Sequence, residues 1–182
     1  TFIPRMLDTH FRKKMKKILL IVTALLITSL SFAQKTPCKL IEEQENGKTI
    51  YRGERNYVGT NYDNFRVCVQ YLYDGENHCL ELTLDYNQPL TVEENSIAYI
   101  QFANEKEEEL KLSEIITNPK NNKIGCRYAL SEEQQEIFSQ TTITAIYFST
   151  KEYPQIEIAE LNKYTAKKMM ERFNCGINTL GK

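Results

Sequence analysis

The chain has 182 residues with 23 basic and 24 acidic side chains, and its length suits a single domain. Residues 34–182 hold 17 basic and 23 acidic residues, a net charge of −6. So acidic a chain lacks the basic surface that phosphate backbones require, which argues against a nucleic-acid partner.

The N-terminal residues predict an export signal. Met15 is followed by two lysines and then by thirteen uncharged residues from Ile18 to Leu30, and the small residues Ser31 and Ala33 precede the expected cut. This is the three-region pattern of a signal peptide. The uncharged stretch is shorter than the roughly 20 apolar residues of a membrane span, so a permanent anchor is the weaker interpretation.

The position of that signal divides the sequence into three segments. Residues 1–14 are interpreted as an over-extended start with no structural role, residues 15–33 as the signal peptide, and residues 34–182 as a single β-rich domain. We expect the mature chain to begin at Gln34 and to be exported to the periplasm or the extracellular space. No membrane span is expected once the signal has been removed.

Five cysteines remain in the mature chain, and an exported protein can form disulfides from them. They are Cys38, Cys68, Cys79, Cys126 and Cys175. Because five is odd, at least one thiol stays free or bonds another molecule. The sequence contains no C-x-x-C motif, so neither a zinc site nor a redox pair is indicated.

Alternating apolar and polar residues predict antiparallel hairpins. Lys39–Gln44 and Thr49–Glu54 flank an Asn-Gly pair that suits a tight turn. The clearest pattern spans residues 65–73 and 78–86, with Phe65 opposite Tyr86 if Gly75-Glu76 is the loop. A loop at Asp74-Gly75 slides the register by two residues. In either register one face is apolar and lies on the core, while the other is mostly polar.

That hairpin also bears on the disulfides. In both registers Cys68 and Cys79 share the more polar face but lie too far apart to bond. We therefore expect any bridge from either cysteine to reach a segment that covers this face. Cys38 and Cys175 are the expected partners because chain ends often lie over sheets.

The rest of the chain predicts further strands and two helices. Residues 96–104 and 109–116 form a hairpin with an acidic run, residues 105–108, at its solvated tip. Strands follow at residues 124–130 and 142–149, separated by a short helix over residues 132–139. Ser131 and Gln134 fit a capping box at the start of that helix.

The last predicted element is a helix over residues 159–174. Ala166, Met169, Met170 and Phe173 form an apolar stripe along it, and Gly176 is expected to end it in a left-handed conformation. The predicted fold is mainly β (α+β): an antiparallel β-sandwich or open barrel with a short internal helix and a C-terminal helix.

Candidate functional residues are few. His78 is the only histidine of the mature chain, so a histidine-based metal site would have too few ligands. We interpret His78 as a partly buried residue at the end of a strand. Residues 56–64 are rich in Tyr, Asn and Gly, the composition of recognition loops. Tyr57, Asn61 and Tyr62 are therefore the candidate binding residues.

These observations favour a non-enzymatic extracytoplasmic module that binds a protein or a small ligand, with no cofactor or metal. The export signal and strand-rich layout resemble small exported bacterial proteins, a resemblance that implies no functional residue. A lipocalin-like carrier is the alternative if the strands enclose a cavity. A small carboxylate-dependent hydrolase is a third hypothesis and requires two facing acidic side chains in a cleft.

Overall fold

The computed structural model describes residues 38–62, 65–86, 90–118, 123–158 and 161–180. The expected signal peptide and the segment before it lie outside these ranges. Within them, ten strands form one antiparallel sheet accompanied by two helices, which confirms the predicted fold class. Neither of these two helices is both long and apolar enough to cross a membrane.

Every strand pairs antiparallel with its neighbours, in the spatial order β1-β2-β4-β5-β8-β7-β6-β9-β10, with β3 beside β4. The strands are β1 (Ile41–Glu45), β2 (Lys48–Arg52), β3 (Asn56–Val58), β4 (Phe65–Tyr73), β5 (His78–Tyr86), β6 (Ile97–Phe102), β7 (Glu107–Asn118), β8 (Lys123–Ala129), β9 (Ile143–Phe148) and β10 (Ile156–Ile158). The helices are α1 (Glu132–Gln140) and α2 (Lys163–Leu180).

The predicted hairpins form with the expected turn chemistry. Asn46 and Gly47 have positive φ angles of 52° and 80° and join β1 to β2, as a two-residue hairpin turn requires. The β4–β5 register places Phe65 opposite Tyr86, which confirms the first of the two predicted registers. The Asp74 carboxylate stabilises that turn by accepting the backbone N–H of Glu76 and of Asn77.

One long strand joins the two halves of the sheet. The first part of β7, up to Lys111, pairs with β6, and the part from Leu112 onward pairs with β8. The register shifts between Leu112 and Glu114, and the Ser113 hydroxyl in between donates to the Arg127 carbonyl at 2.8 Å. Such a bulge bends a strand and increases its twist, so the sheet curls at this position.

The curl brings the last strand near the segment that follows β3. The Asn61 backbone N–H donates to the Glu157 carbonyl at 3.0 Å, and the Asn61 side-chain oxygen accepts the Glu157 N–H at 2.9 Å. This connection is consistent with the predicted open sandwich or barrel. Strands β3 and β10 were not predicted, because three residues are too few to show an alternating pattern.

The inner face of the sheet carries the core. The expected inward residues Val67, Val69, Leu80, Leu82 and Leu84 are all fully buried, whereas the side chain of Phe65 lies outside the described part. Four aromatic rings then connect sheet and helices, with neighbouring ring centroids 4.9 to 5.4 Å apart. In order of contact they belong to Phe102, Phe138, Phe173 and Tyr71.

The short helix agrees with its prediction, and the last helix differs at both ends. Ser131 and Gln134 form the expected capping box of α1. Helix α2 begins later than predicted because the Asn162 side chain accepts the Thr165 N–H at 2.9 Å and caps it there. The predicted helix end at Gly176 is wrong: α2 continues to Leu180, and Gly176 lies buried within it.

Gly176 is needed because Tyr71 occupies the space of a side chain. A Cβ atom there would lie 2.2 Å from two ring atoms of Tyr71, whose hydroxyl is fixed by a 2.7 Å hydrogen bond to His78. We expect Gly176→Ala to lower the free energy of unfolding by about 1–3 kcal/mol through overpacking, although alanine favours helices. Urea unfolding measures this, with Gly59→Ala as the control because nothing lies within 4 Å of a Cβ there. Equal or greater stability of Gly176→Ala would contradict the packing.

The outer face of β4 and β5 is more covered than its polar pattern predicted. Gln70 and Glu81 are buried, although the sequence pattern assigned them to the face opposite the core. The cause is the β1–β2 hairpin, which pairs with β4 at only two residues and folds over this face. Its Glu45 carboxylate contacts Arg127 on β8, three strands further along the sheet from β2. A small second core then forms beneath the hairpin from Ile50, Leu72, Cys79 and Ala129.

The disulfide joins the two cysteines nearest the chain ends. Cys38 and Cys175 are bonded, with Cα atoms 5.5 Å apart, while Cys68, Cys79 and Cys126 are free and buried. Cys68 and Cys79 are thus unbridged to each other, as the register required. The expectation of Cys38 or Cys175 as their partner is wrong because those two cysteines bond each other. The segment covering the outer face is the cysteine-free β1–β2 hairpin.

Candidate functional site

Four charged side chains form a closed ring on the covered outer face, here called the charge ring. Arg127 donates to Glu81 at 2.8 Å and to Glu45 at 2.6 Å. Arg52 donates to the same two carboxylates, at 3.2 Å and 2.8 Å. Glu81 and Arg127 are nearly fully buried, with side chains 5% and 4% exposed. Positive and negative groups therefore alternate around the ring, and each touches two opposite charges.

The ring favours the charged forms of Glu45, Arg52 and Arg127. Burial alone would raise the pKa of Glu45, but hydrogen bonds from Arg52 and Arg127 lower it below its ordinary value. Burial alone would lower the pKa of Arg127, whereas its contacts with Glu81 and Glu45 raise it. Burying charges is costly unless they are paired and hydrogen-bonded, and this arrangement supplies both conditions.

Further partners complete the hydrogen bonding around the ring. The Gln70 amide donates to Glu81 at 3.1 Å, Arg127 also donates to Glu114 at 2.8 Å, and Arg52 also contacts Glu43. In the part of the chain that the structure describes, no buried side-chain nitrogen or oxygen lacks a partner. The ring is therefore a rigid, fully bonded block rather than a set of adjustable surface charges.

Beside the charge ring runs a concave strip across five neighbouring strands, here called the trough. Its floor is one transverse row of residues, because the strand registers place each one opposite the next. From β3 to β7 the row is Tyr57, Cys68, Thr83, Gly125 and Ile116. Three small residues thus lie between a tyrosine and an isoleucine, and neighbouring rows with larger side chains rise above them.

Charged rows border the trough on both sides. On one side lie Glu81 and Arg127 of the charge ring, two residues along the strands from Thr83 and Gly125. On the other side Asp85 and Lys123 are cross-strand partners joined by a 3.2 Å ion pair. The cavity in the trough is open to solvent and measures about 260 Å³, and Arg55 lines it together with the floor residues.

Gly125 provides much of the depth of the trough. A Cβ atom there would meet only Ile116, at 3.5 Å from its Cβ and 3.8 Å from its carbonyl oxygen, which are ordinary van der Waals contacts. The backbone therefore accepts a larger residue at this position, and a larger side chain would fill the cavity. A substitution at Gly125 can therefore change the shape of the trough without lowering the stability of the domain.

The three predicted binding residues have different surroundings. Tyr57 is 55% exposed and lines the trough. Asn61 bonds to Glu157 and connects β10 to the segment after β3, and the Tyr62 ring contacts the Tyr153 ring edge-on at 4.7 Å. The structure therefore brings only Tyr57 to the cavity and gives the other two residues contacts that stabilise the fold.

His78 lies on the other face of the sheet from the trough. It is 6% exposed, its Nδ1 lies 2.7 Å from the Tyr71 hydroxyl, and its ring lies 4.9 Å from that of Tyr73. Burial lowers the pKa of His78, opposed by the nearby Asp74 carboxylate. The neutral imidazole is thus part of the packed core.

That lowered pKa makes stability depend on pH. Between about pH 6.5 and the lower pKa of the folded state, the unfolded chain takes up a proton that the folded chain does not. We therefore expect the free energy of unfolding of the mature chain to fall as the pH drops below about 6.5, and the fall to be shallower in His78→Gln. Denaturant unfolding between pH 7 and pH 5 measures both slopes, and identical slopes would contradict this assignment.

The free thiols have surroundings that suppress their reactivity. Burial raises the pKa of Cys68 to about 11 and the pKa values of Cys79 and Cys126 to about 12. Since the thiolate is the nucleophilic form, the geometry offers no activated cysteine among these three. In the described ranges no three His, Cys, Asp or Glu side chains are grouped so that they could hold a metal ion.

Comparisons with models of protein families, with curated proteins and with solved structures found no match. The functional interpretation therefore rests on the geometry of the charge ring and the trough.

Sequence reasoning identified Tyr57 and missed the rest of the trough. Its floor takes residues from five strands, and β8 lies between β5 and β7, an order that local patterns do not reveal. A partial signal was present, since Glu81 and Arg127 are charged residues in otherwise strongly strand-like segments. The small residue Gly125 inside a strand was a second signal, because such glycines often mark a close approach by a ligand or backbone.

Proposed function

We propose that the mature chain is a non-enzymatic extracytoplasmic binding or interaction module whose ligand lies in the trough. The observation that carries the proposal is the row of small side chains between two charged rows, with Tyr57 at one end. Ligand sites are commonly concave and contain a few precisely placed polar groups. The trough has both properties.

Rigidity supports this proposal. The charge ring borders the trough and is fully hydrogen-bonded without a ligand. A ligand that enters the trough therefore does not have to order this wall, and pre-ordered sites lose less free energy on binding. Thr83 and the Tyr57 hydroxyl add uncharged hydrogen-bonding groups to the lining.

Two features support the extracytoplasmic location. The pattern of residues 15–33 is that of a cleaved export signal, and the Cys38–Cys175 disulfide is typical of proteins that fold in oxidising compartments. The periplasm or the extracellular space is the proposed location.

The geometry supports the two other hypotheses less well. The inside of the described sheet is filled by core side chains such as Phe138 and Phe173, whereas a lipocalin-like carrier needs an enclosed cavity there. Glu81 and Asp85 border the trough from one strand, four residues and about 13 Å apart. A glycosidase pair needs carboxyl groups about 5–10 Å apart that face each other across the substrate.

Filling the trough tests the proposal. We expect thermal-shift screening of residues 34–182 against monosaccharides, amino acids and small aromatic carboxylates to find ligands, and Gly125→Phe to weaken their binding at least about tenfold by steric exclusion. Because an interior strand glycine is unfavourable and phenylalanine favours strands, stability should not fall. Calorimetric titration of each ligand against both proteins measures the difference.

The variants Gly125→Ala and Gly125→Phe separate blocking from unfolding. Alanine adds one methyl group and should retain most of the binding, while both variants should unfold at wild-type denaturant concentrations. The proposal fails if no compound binds, or if every bound compound binds a folded Gly125→Phe variant as tightly as the wild type.

A further inference from the structure

The charges that line the trough are not balanced. Glu81 contacts Arg52 and Arg127, and Asp85 contacts Lys123. Both carboxylates that border the cavity are thus already paired with cations. Among the described residues of the lining, no negative group is left unpaired for a ligand.

Arg55 is the exception among the cations of the lining. It is exposed, lies between β2 and β3, and forms no ion pair within 4 Å with any residue that the structure describes. The positive charge of Arg55 acts on Cys68 at the floor of the trough. Burial raises the pKa of Cys68, and Arg55 is the largest effect opposing that rise. Among the lining residues that the structure describes, the one charge without an opposite charge within 4 Å is therefore positive.

Tyr57 lies beside Arg55 at the same end of the trough. The two residues are two positions apart in the chain, both line the cavity, and the Tyr57 side chain is 55% exposed. A guanidinium group presents a planar pair of N–H donors that matches a carboxylate. An exposed tyrosine ring offers a flat apolar surface to the part of a ligand next to that carboxylate.

We infer that the trough binds a small organic anion, with its carboxylate held by Arg55 and its flat or apolar part against Tyr57. This inference rests on the proposed function and specifies its ligand class. The volume of about 260 Å³ fits a small molecule of this kind. The net charge of −6 of the mature chain opposes the binding of long polyanions. The expected ligand is therefore compact and carries a single anionic group.

Titration with benzoate, phenyl phosphate and neutral benzamide tests the ligand class. We expect residues 34–182 to bind benzoate more tightly than benzamide by about tenfold, the order of one charge-assisted hydrogen-bonded pair. Arg55→Gln should remove that preference and leave benzamide binding unchanged. Arg66→Gln is the matched control, because Arg66 is exposed on the same face of β4 as the floor residue Cys68 but does not line the cavity.

The outcomes distinguish the assignment of an anionic ligand from the proposal that the trough is a ligand site. Equal binding of benzoate and benzamide, or an Arg55→Gln variant that keeps the preference, overturns the anion assignment. If Gly125→Phe still blocks the bound compound in that case, the trough remains a ligand site of another class. Tighter binding of phenyl phosphate than of benzoate also overturns the carboxylate assignment. If no compound bound to the wild type is blocked by Gly125→Phe, the proposed function and the inference fail together.

Discussion

Replacing both Cys38 and Cys175 with serine is expected to lower the free energy of unfolding of the mature chain by about 5 kcal/mol, the chain-entropy value for a loop of this length. The two cysteines are 137 residues apart in sequence, so their bond closes a loop around nearly the whole domain. It also ties the segment before β1 to α2, the helix that packs on β4. Since domains are typically stable by about 5–15 kcal/mol, the variant should be close to unfolding at room temperature.

Urea unfolding of the wild type, of the double variant and of the wild type with reductant measures this effect. The reduced wild type and the variant should unfold at similar, low urea concentrations. Thiol titration of the denatured wild type should find the three free cysteines, Cys68, Cys79 and Cys126. Five reactive thiols, or unchanged unfolding of the variant, would contradict the bridge.

Arg127→Met is expected to lower the free energy of unfolding by about 3–5 kcal/mol, the range for breaking a buried ion pair from one side. The substitution leaves the buried Glu81 carboxylate with one guanidinium instead of two and removes the contact between β8 and Glu45 of the covering hairpin. Arg172→Met is the matched control. In the described part of the chain Arg172 pairs only with Glu54, which is half-exposed, and such surface pairs contribute little to stability.

A double-mutant cycle attributes the loss to the stranded charge. In Arg127→Met with Glu81→Gln no buried carboxylate lacks its partner, so the double variant should be more stable than the sum of the two single losses predicts. The unfolding free energies of all four proteins give the coupling between the residues. Strict additivity, or an Arg127→Met effect as small as that of Arg172→Met, would show that the charge ring does not contribute as described.

Most of the fold could be predicted because its signals are local. The alternation over residues 65–86, the Asn46-Gly47 turn and the Ser131 capping box each involve residues close in sequence, and all three appear as expected. The end of α2 could not be predicted, because Gly176 signals a helix end by itself. Its true role depends on Tyr71, more than 100 residues earlier in the chain.

The candidate site was less predictable because it depends on contacts between distant strands. Glu81 and Arg127 become neighbours only when β8 pairs with β5, and β7 reaches the trough only after its bulge at Ser113. Polar alternation assigned Gln70 and Glu81 to a mostly polar face opposite the core. The hairpin that buries them lies more than 15 residues earlier in the chain, and no local pattern indicates that it folds over the sheet.

The trough on the outer face is the proposed ligand-binding site. Amide chemical-shift mapping of residues 34–182 on addition of benzoate, and separately of benzamide, tests this location. We expect the largest shifts at Tyr57, Cys68, Thr83 and Gly125, which lie apart in sequence but adjacent across the sheet. Shifts confined to other surfaces, or no shift with either compound, would contradict it.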